Sequence, residues 1–135
     1  MANARVHLAI SEQLDVEAAR RAARDLAVAL YFDREDAEVV ALAVSELASN
    51  LLRYATRGEI EMVPLSGPRG AGVEIKSHDR GPGIADIDAA LGDGFSTGGG
   101  LGSGLGSVRR LMDEFELSSG LAGTSVVCRK WRQKT

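Results

Sequence analysis

A glycine-rich segment placed directly before a helical pattern is the feature that most constrains this chain. Six of the nine residues from Gly98 to Gly106 are glycine, and apolar residues at helical spacing follow at once. Glycine is the residue whose backbone costs most to order on folding. Free backbone N–H groups at a helix start favour an anion, and glycines let that backbone come close to it. The segment therefore favours a phosphate-binding loop, with Ser96, Thr97 and Ser103 as added hydroxyl donors.

Two common phosphate motifs do not fit this segment. A P-loop needs Gly-Lys-Ser/Thr, and none of the three lysines, Lys76, Lys130 and Lys134, follows a glycine. A dinucleotide fingerprint needs G-x-G-x-x-G directly after a strand, whereas these glycines alternate after a predicted loop. A flexible linker is the remaining alternative, and it is weakened because the glycines adjoin a well-patterned helix.

Composition narrows the class of protein. The chain has 135 residues, which fits a single domain over 1–135. Its net charge of -3 and pI of about 5.4 give no electrostatic footprint for a nucleic acid. The single Cys128 allows no internal disulfide and no cysteine-based metal site, so we expect a small buried core residue. No signal-peptide pattern and no apolar run of about 20 residues is present, so we expect a cytoplasmic protein without membrane contact.

Apolar periodicity predicts an α/β (α+β) two-layer sandwich, in which three helices cover one face of a mixed, largely antiparallel sheet of about five strands. The first helix is expected after an N-cap at Asp15, and the second from a cap at Asp33 to about Tyr54. A third long helix is expected to carry Leu105 through Phe115, and one helical turn is expected at Asp86–Leu91. The predicted strands cover 6–10, 59–65, 72–79, 115–120 and 123–131.

The second predicted helix carries two polar residues at the boundary of its apolar stripe. Glu46 and Asn50 are four residues apart, so they lie one turn apart on the same side. Asparagine is a mediocre helix residue because its side chain competes for backbone hydrogen bonds. A solvated glutamate and an incidental asparagine is the alternative interpretation of this helix alone.

A second polar constellation stands at the end of a predicted strand. Asp79 is followed by Gly81 and Gly83, and glycine turns at strand ends let backbone approach a ligand. An aspartate there can accept a hydrogen bond from an amino group. A plain turn is the alternative, since Asp-x-Gly-Pro-Gly is also good turn chemistry.

Taken in order, the motifs resemble the GHKL ATPase superfamily, which uses the Bergerat nucleotide-binding fold. They are "SELASN", "DRGPG", "GGGLGSGLG" and "GTSV". Within that superfamily, "STGGGLG" and "VRRLMDEFEL" resemble the small bacterial serine/threonine kinases of the anti-sigma-factor regulatory group, in particular the switch kinases of partner-switching and stressosome modules. The resemblance extends over roughly 8–131.

The resemblance implies a role for each matching residue. Glu46 matches the general base, Asn50 the Mg²⁺ ligand, Asp79 the acid that binds the adenine amino group, and Thr124 a threonine that supports this acid. The segment 84–99 matches the mobile ATP lid. Arg53 is either a phosphate neighbour or a solvated arginine. The other implied nucleotide-binding residues belong to the turn after the strand and to the phosphate loop: Gly81, Gly83, Ile84, Thr97, Gly98, Gly99, Gly100, Leu101, Gly102, Ser103, Gly104 and Leu105.

The chemistry of these residue types agrees with the implied roles. Mg²⁺ takes oxygen ligands and often few from the protein, the rest coming from phosphates and water, so one asparagine is enough. Phosphoryl transfer depends mostly on positioning and charge neutralisation. Glu46, one turn from the metal ligand, is placed to accept a proton from a serine hydroxyl.

The function expected from the resemblance is ATP- and Mg²⁺-dependent phosphorylation of a serine or threonine on a STAS-domain antagonist or stressosome scaffold. A metal-dependent phosphatase released upon phosphorylation is the implied second partner, and the chain is expected to be a monomer or a homodimer. One alternative is an anti-sigma factor that mainly sequesters a sigma factor. Another is a scaffold that binds ATP without transfer, which Ser103 favours slightly because the family commonly has a hydrophobic residue there.

Overall fold

The computed structural model describes residues 5–55, 58–79, 104–120 and 123–133. Within these ranges the chain forms five strands and three helices. In chain order they are β1 (Val6–Ile10), α1 (Gln13–Ala29), α2 (Arg34–Ala55), β2 (Gly58–Gly67), β3 (Gly70–His78), α3 (Leu105–Leu111), β4 (Glu114–Gly120) and β5 (Gly123–Trp131).

The strands form one sheet in the order β1-β2-β3-β5-β4, and every described pairing is antiparallel. Because side chains alternate between the two faces of a strand, the register aligns apolar residues in rows. One row crosses all five strands through Val6, Met62, Ile75, Cys128 and Phe115. The three inner strands β2, β3 and β5 carry its fully buried members, Met62, Ile75 and Cys128.

The helices cover the apolar face of this sheet, and the predicted two-layer sandwich is confirmed. The apolar stripe predicted on the second helix is buried, with Val40, Val44, Leu47 and Leu51 no more than 2% exposed. Burying each such side chain contributes about 1.5–3 kcal/mol. α2 packs on the sheet, on α1 and on α3, so it is the central element of the helical layer. No helix in the described ranges is long and apolar enough to span a membrane.

The first helix begins earlier than predicted, at Gln13. Asp15 is not the N-cap but lies inside the first turn, where its Oδ2 accepts hydrogen bonds from the backbone N–H of Ser11 (2.9 Å) and Glu12 (3.1 Å). The Asp15 carboxylate therefore binds backbone N–H groups of residues that precede the helix, although Asp15 itself is helical. The cap predicted at Asp33 is present, since its Oδ1 accepts from the N–H of Asp36 at 2.8 Å.

The third helix is shorter than expected, and positions 112–115 of its predicted range are not helical. α3 ends at Leu111, Met112 is in an extended conformation, and Phe115 lies on β4. Phe115 and Leu117 alternate with glutamates, so the period changes from helix to strand within a few residues. The apolar spacing of Leu111, Met112 and Phe115 fits a helix equally well, which explains the wrong boundary.

The outer face of the sheet is polar and carries ion pairs, as expected for an antiparallel sheet with one face in water. At its β5 end, Trp131 donates from Nε1 to Glu114 Oε2 (2.8 Å), and the Arg69 guanidinium lies 5.1 Å from the indole. The hydrogen bonds from Trp131 and Arg129 hold the pKa of the Glu114 carboxyl below its ordinary value. The ion pairs are Arg5–Glu61, Arg69–Glu114, Arg129–Glu74 and Arg129–Glu114. His7 Nε2 and Glu59 Oε1 lie 3.2 Å apart, at hydrogen-bond distance.

Gly72 lies beneath that indole. A methyl group added at Gly72 would stand 2.6 Å from Trp131 Cε3 and 2.9 Å from the carbonyl oxygen of Lys130. Both distances are shorter than van der Waals contact, so the pairing of β3 with β5 at this point requires a residue without a side chain.

We expect Cys128 to resist thiol reagents in the folded protein. Its side chain is fully buried, and burial raises the pKa of the thiol from 9.0 to about 12, so almost no thiolate forms at pH 8. The unfolded thiol ionises near 9.0, so the unfolded state loses its proton first and this site lowers stability as pH rises from about 9 towards 12. Titration with Ellman's reagent should give no rapid reaction in native buffer and one thiol in guanidinium. Rapid native reaction would contradict the buried position.

Candidate functional site

Asp79 directly follows β3 and is only 8% exposed. Its backbone N–H donates to the carbonyl oxygen of Thr124 at 3.0 Å, and its Oδ1 accepts from the N–H of Thr124 at 3.3 Å. The backbone of β5 thus fixes the position of this carboxylate at the end of β3. A buried carboxylate needs hydrogen-bond partners, and the backbone N–H of Thr124 is one of them.

Thr124 supports Asp79 through its backbone, while its hydroxyl has a different partner. Thr124 Oγ1 and Ser119 Oγ are 3.0 Å apart, and the two residues face each other in the register of β4 and β5. Ser119 was not among the predicted site residues. Counting back from the turn of the "FELSSG…GTSV" hairpin would have placed it opposite Thr124, so the signal was present in the sequence.

Glu46 lies in the middle of α2 and is half-buried. Its Oε1 accepts a hydrogen bond from the backbone N–H of Gly104 at 3.0 Å. Gly104 is the residue immediately before α3, at the end of the glycine-rich segment. The predicted base and the predicted phosphate loop, which are 58 residues apart in the chain, therefore meet where α2 packs on α3.

Asn50 lies one turn further along α2, and its amide nitrogen Nδ2 is buried without a hydrogen-bond partner in the described part of the chain. Leaving a buried amide unsatisfied costs about 1–3 kcal/mol, so such a group in a folded protein calls for an explanation. A carboxamide has one oxygen and one nitrogen end, which exchange by rotation about its terminal torsion. A polar ligand beside Asn50 would satisfy it, and its oxygen end is a ligand type that Mg²⁺ accepts.

The other predicted site residues divide into two groups. Arg53, a turn beyond Asn50, is exposed. Leu105 is 6% exposed and packs its side chain into the core, so only the backbone of Leu105 is available to a ligand. Within the described ranges, no group of three or more His, Cys, Asp or Glu side chains forms a metal site, so a bound cation there would depend on a small protein ligand set. Outside the described residues lie Gly81, Gly83, Ile84, Thr97, Gly98, Gly99, Gly100, Leu101, Gly102 and Ser103, together with the turn predicted at Asp86–Leu91.

The described geometry thus has two parts. A buried carboxylate at the end of β3 can accept a hydrogen bond from an amino group. On α2, the Glu46 carboxylate accepts a hydrogen bond from Gly104, and one turn further along lies the Asn50 amide, whose nitrogen has no partner among the described residues. An acceptor for a base, an oxygen donor for a cation and a carboxylate near a glycine-rich loop are what a nucleotide-binding phosphotransfer site requires.

The chain belongs to the histidine kinase-like ATPase domain family, whose model matches residues 8–130. This confirms the superfamily resemblance seen in the sequence motifs. The chain is 43% identical over 123 residues to the serine/threonine-protein kinase RsbT of Bacillus subtilis, a match that covers 90% of this chain and 92% of that protein. That identity confirms the predicted class of enzyme, a serine/threonine protein kinase that uses ATP.

Solved structures show the same fold at lower identity. The RsbU and RsbW domains of a Mycobacterium tuberculosis protein match with a TM-score of 0.68 and 18% identity, over 100% of this chain and 34% of that one. A chain of the SiaB–SiaC complex from Pseudomonas aeruginosa matches with a TM-score of 0.54 and 12% identity, over 93% of this chain and 88% of that one. A blue-light activated histidine kinase domain from Erythrobacter litoralis matches with a TM-score of 0.50 and 24% identity, over 73% and 45%.

Proposed function

We propose that this chain transfers the γ-phosphoryl group of ATP to a serine or threonine hydroxyl of a STAS-domain protein in a partner-switching module. The observation that carries the proposal is a pair of residues on α2. The Glu46 carboxylate is held by Gly104 of the glycine-rich segment, and one turn away the buried amide nitrogen of Asn50 has no hydrogen-bond partner within the described ranges. The 43% identity to a serine/threonine-protein kinase supports the reaction class.

Each described residue has one part in this reaction. Asp79, oriented by Thr124, accepts a hydrogen bond from the adenine amino group. Asn50 supplies a side-chain oxygen to Mg²⁺, which when bound neutralises charge on the phosphates. Glu46 accepts the proton of the attacking hydroxyl. The backbone of the glycine-rich segment and Arg53 lie along the phosphates in this proposal.

The STAS-domain acceptor follows from the resemblance to switch kinases of partner-switching modules. In this proposal the kinase is a single cytoplasmic domain over 1–135, and a metal-dependent phosphatase is the second partner that phosphorylation releases. The proposal places the protein in a stress-response or sigma-factor regulatory circuit, where one phosphoserine changes which of two partners is bound.

The experiment that tests this proposal is transfer of labelled γ-phosphate from ATP to purified STAS-domain proteins from the same organism. We expect label on a serine or threonine of one of them, and loss of the label when EDTA removes the divalent cation. Phosphoamino-acid analysis identifies the acceptor. Calorimetry with a non-hydrolysable ATP analogue runs in parallel.

The outcomes separate the proposed function from its alternatives. Tight binding of the analogue with no transfer to any STAS-domain protein would indicate a nucleotide-responsive scaffold. A sigma factor as the main protein retained in a pull-down, again without transfer, would indicate an anti-sigma factor that acts by sequestration. Transfer that continues in EDTA would contradict the role proposed for Mg²⁺.

A further inference from the structure

The contact between Glu46 and Gly104 joins two rigid parts of the fold. Glu46 is flanked on α2 by Ala43 and Leu47, which are at most 1% exposed, so the backbone beneath the carboxylate is fixed by the core. On the other side, Leu105 and Val108 of α3 are buried against the same core. The 3.0 Å hydrogen bond therefore has both of its ends held in place.

The donor in this contact has a backbone conformation that only glycine adopts readily. Gly104 has φ 117° and ψ -159°. This region of the φ/ψ map is essentially confined to glycine, and a Cβ group makes it strongly unfavourable. The direction of the Gly104 N–H thus depends on the absence of a side chain at this one position.

We propose that Gly104 is a positioning residue for the base: its N–H holds Oε1 of Glu46, so that Oε2 is the atom that receives the proton. The inference rests on the proposed function, in which Glu46 is that base. As the hydroxyl oxygen of the acceptor bonds to the γ-phosphorus, its proton passes to Oε2. The bond from that phosphorus to the β,γ-bridging oxygen breaks, and ADP leaves with the electron pair.

A positioning role differs from a purely structural one in its coupling to Glu46. If Gly104 acts through the carboxylate, its substitution should matter only while the carboxylate is present. Residues that act as one unit give strongly non-additive effects on rate, whereas independent residues multiply. The test is therefore a double-mutant cycle of Gly104→Ala and Glu46→Gln, measured as single-turnover transfer at saturating ATP, with ATP affinity measured separately.

We expect Gly104→Ala to slow transfer by about 10-fold or more in the native background, because a small misplacement of a reacting group is costly. In the Glu46→Gln background we expect it to change the residual rate by less than about 2-fold. Gly70→Ala is the matched control, since Gly70 also has a positive φ of 96° but lies at the turn between β2 and β3. It should leave the rate unchanged.

An equal slowing by Gly104→Ala in both backgrounds would overturn the inference and leave the proposed function standing. Full activity of Glu46→Gln would instead contradict the proposed function itself. Should Gly104→Ala not fold, semisynthesis with glycolic acid at position 104 replaces the amide by an ester, which removes the N–H and keeps glycine's freedom. Native transfer rates in that ester variant would overturn the inference, and a loss of about 10-fold would support it.

Discussion

Glu46→Gln is expected to slow phosphoryl transfer to the protein acceptor by about 10²- to 10⁴-fold, the usual contribution of a positioned general base. Glutamine keeps the shape of the side chain and can still accept the hydrogen bond from Gly104, but it cannot take up a proton. ATP should remain bound, because Asp79 and Asn50 are unchanged. The measurement is the single-turnover rate with labelled ATP, together with ATP affinity by calorimetry.

Glu35→Gln provides the matched control for this variant. Glu35 is an exposed residue in the first turn of α2, so the same chemical change is made on the same helix away from Glu46. Its transfer rate should equal that of the native protein. If Glu46→Gln transfers phosphate as fast as Glu35→Gln, Glu46 is not the base.

Asp79→Asn is expected to weaken ATP binding by about 10- to 100-fold, which corresponds to the loss of one hydrogen bond to a charged group. Asparagine can still accept from the N–H of Thr124 through its oxygen, which turns its NH₂ group towards the position proposed for the adenine amino group. Two donors then face each other. GTP carries a carbonyl oxygen at the corresponding ring position, so its affinity should change much less.

Competition between ATP and GTP for the same site measures this change in preference. Asp25→Asn, on the exposed side of α1, is the control and should leave both affinities unchanged. An equal loss for the two nucleotides would mean that Asp79 supports the fold around the site without contacting the base. Thermal unfolding of the variant without nucleotide distinguishes a lost contact from a damaged strand end.

Periodicity alone was sufficient to predict most of the fold. The alternation in β1, β2, β3 and β5 predicts strands, and the spacing of Val40, Val44, Leu47 and Leu51 predicts a helix. Each pattern has one interpretation, because the two faces of these elements are chemically distinct. The prediction assigned Phe115 both to the third helix and to a strand, because Leu111, Met112 and Phe115 fit either, and only the strand is correct. There the β4–β5 pairing, a long-range contact, decides the conformation.

The candidate site was less accessible to sequence reasoning, because its contacts depend on register and on backbone atoms. Asp79 and Thr124 are 45 residues apart, and only the pairing of β3 with β5 brings them together. The hydrogen bond to Glu46 comes from the backbone N–H of Gly104, and no side chain in the sequence indicates that contact. The glycine-rich segment before a helix indicated an anion-binding loop. The partner of the Gly104 N–H could be found only from the packing of α2 on α3.

The identity of Gly72 is constrained by its neighbours, although glycine contributes no side chain to the core. Two atoms exclude a methyl group there. Trp131 Cε3 belongs to a side chain that can differ between relatives, whereas the Lys130 oxygen belongs to the backbone of β5. A relative with a smaller residue at 131 would still meet that oxygen 2.9 Å from the added carbon. Glycine at 72 should therefore persist among relatives that keep this strand pairing, whatever replaces the indole.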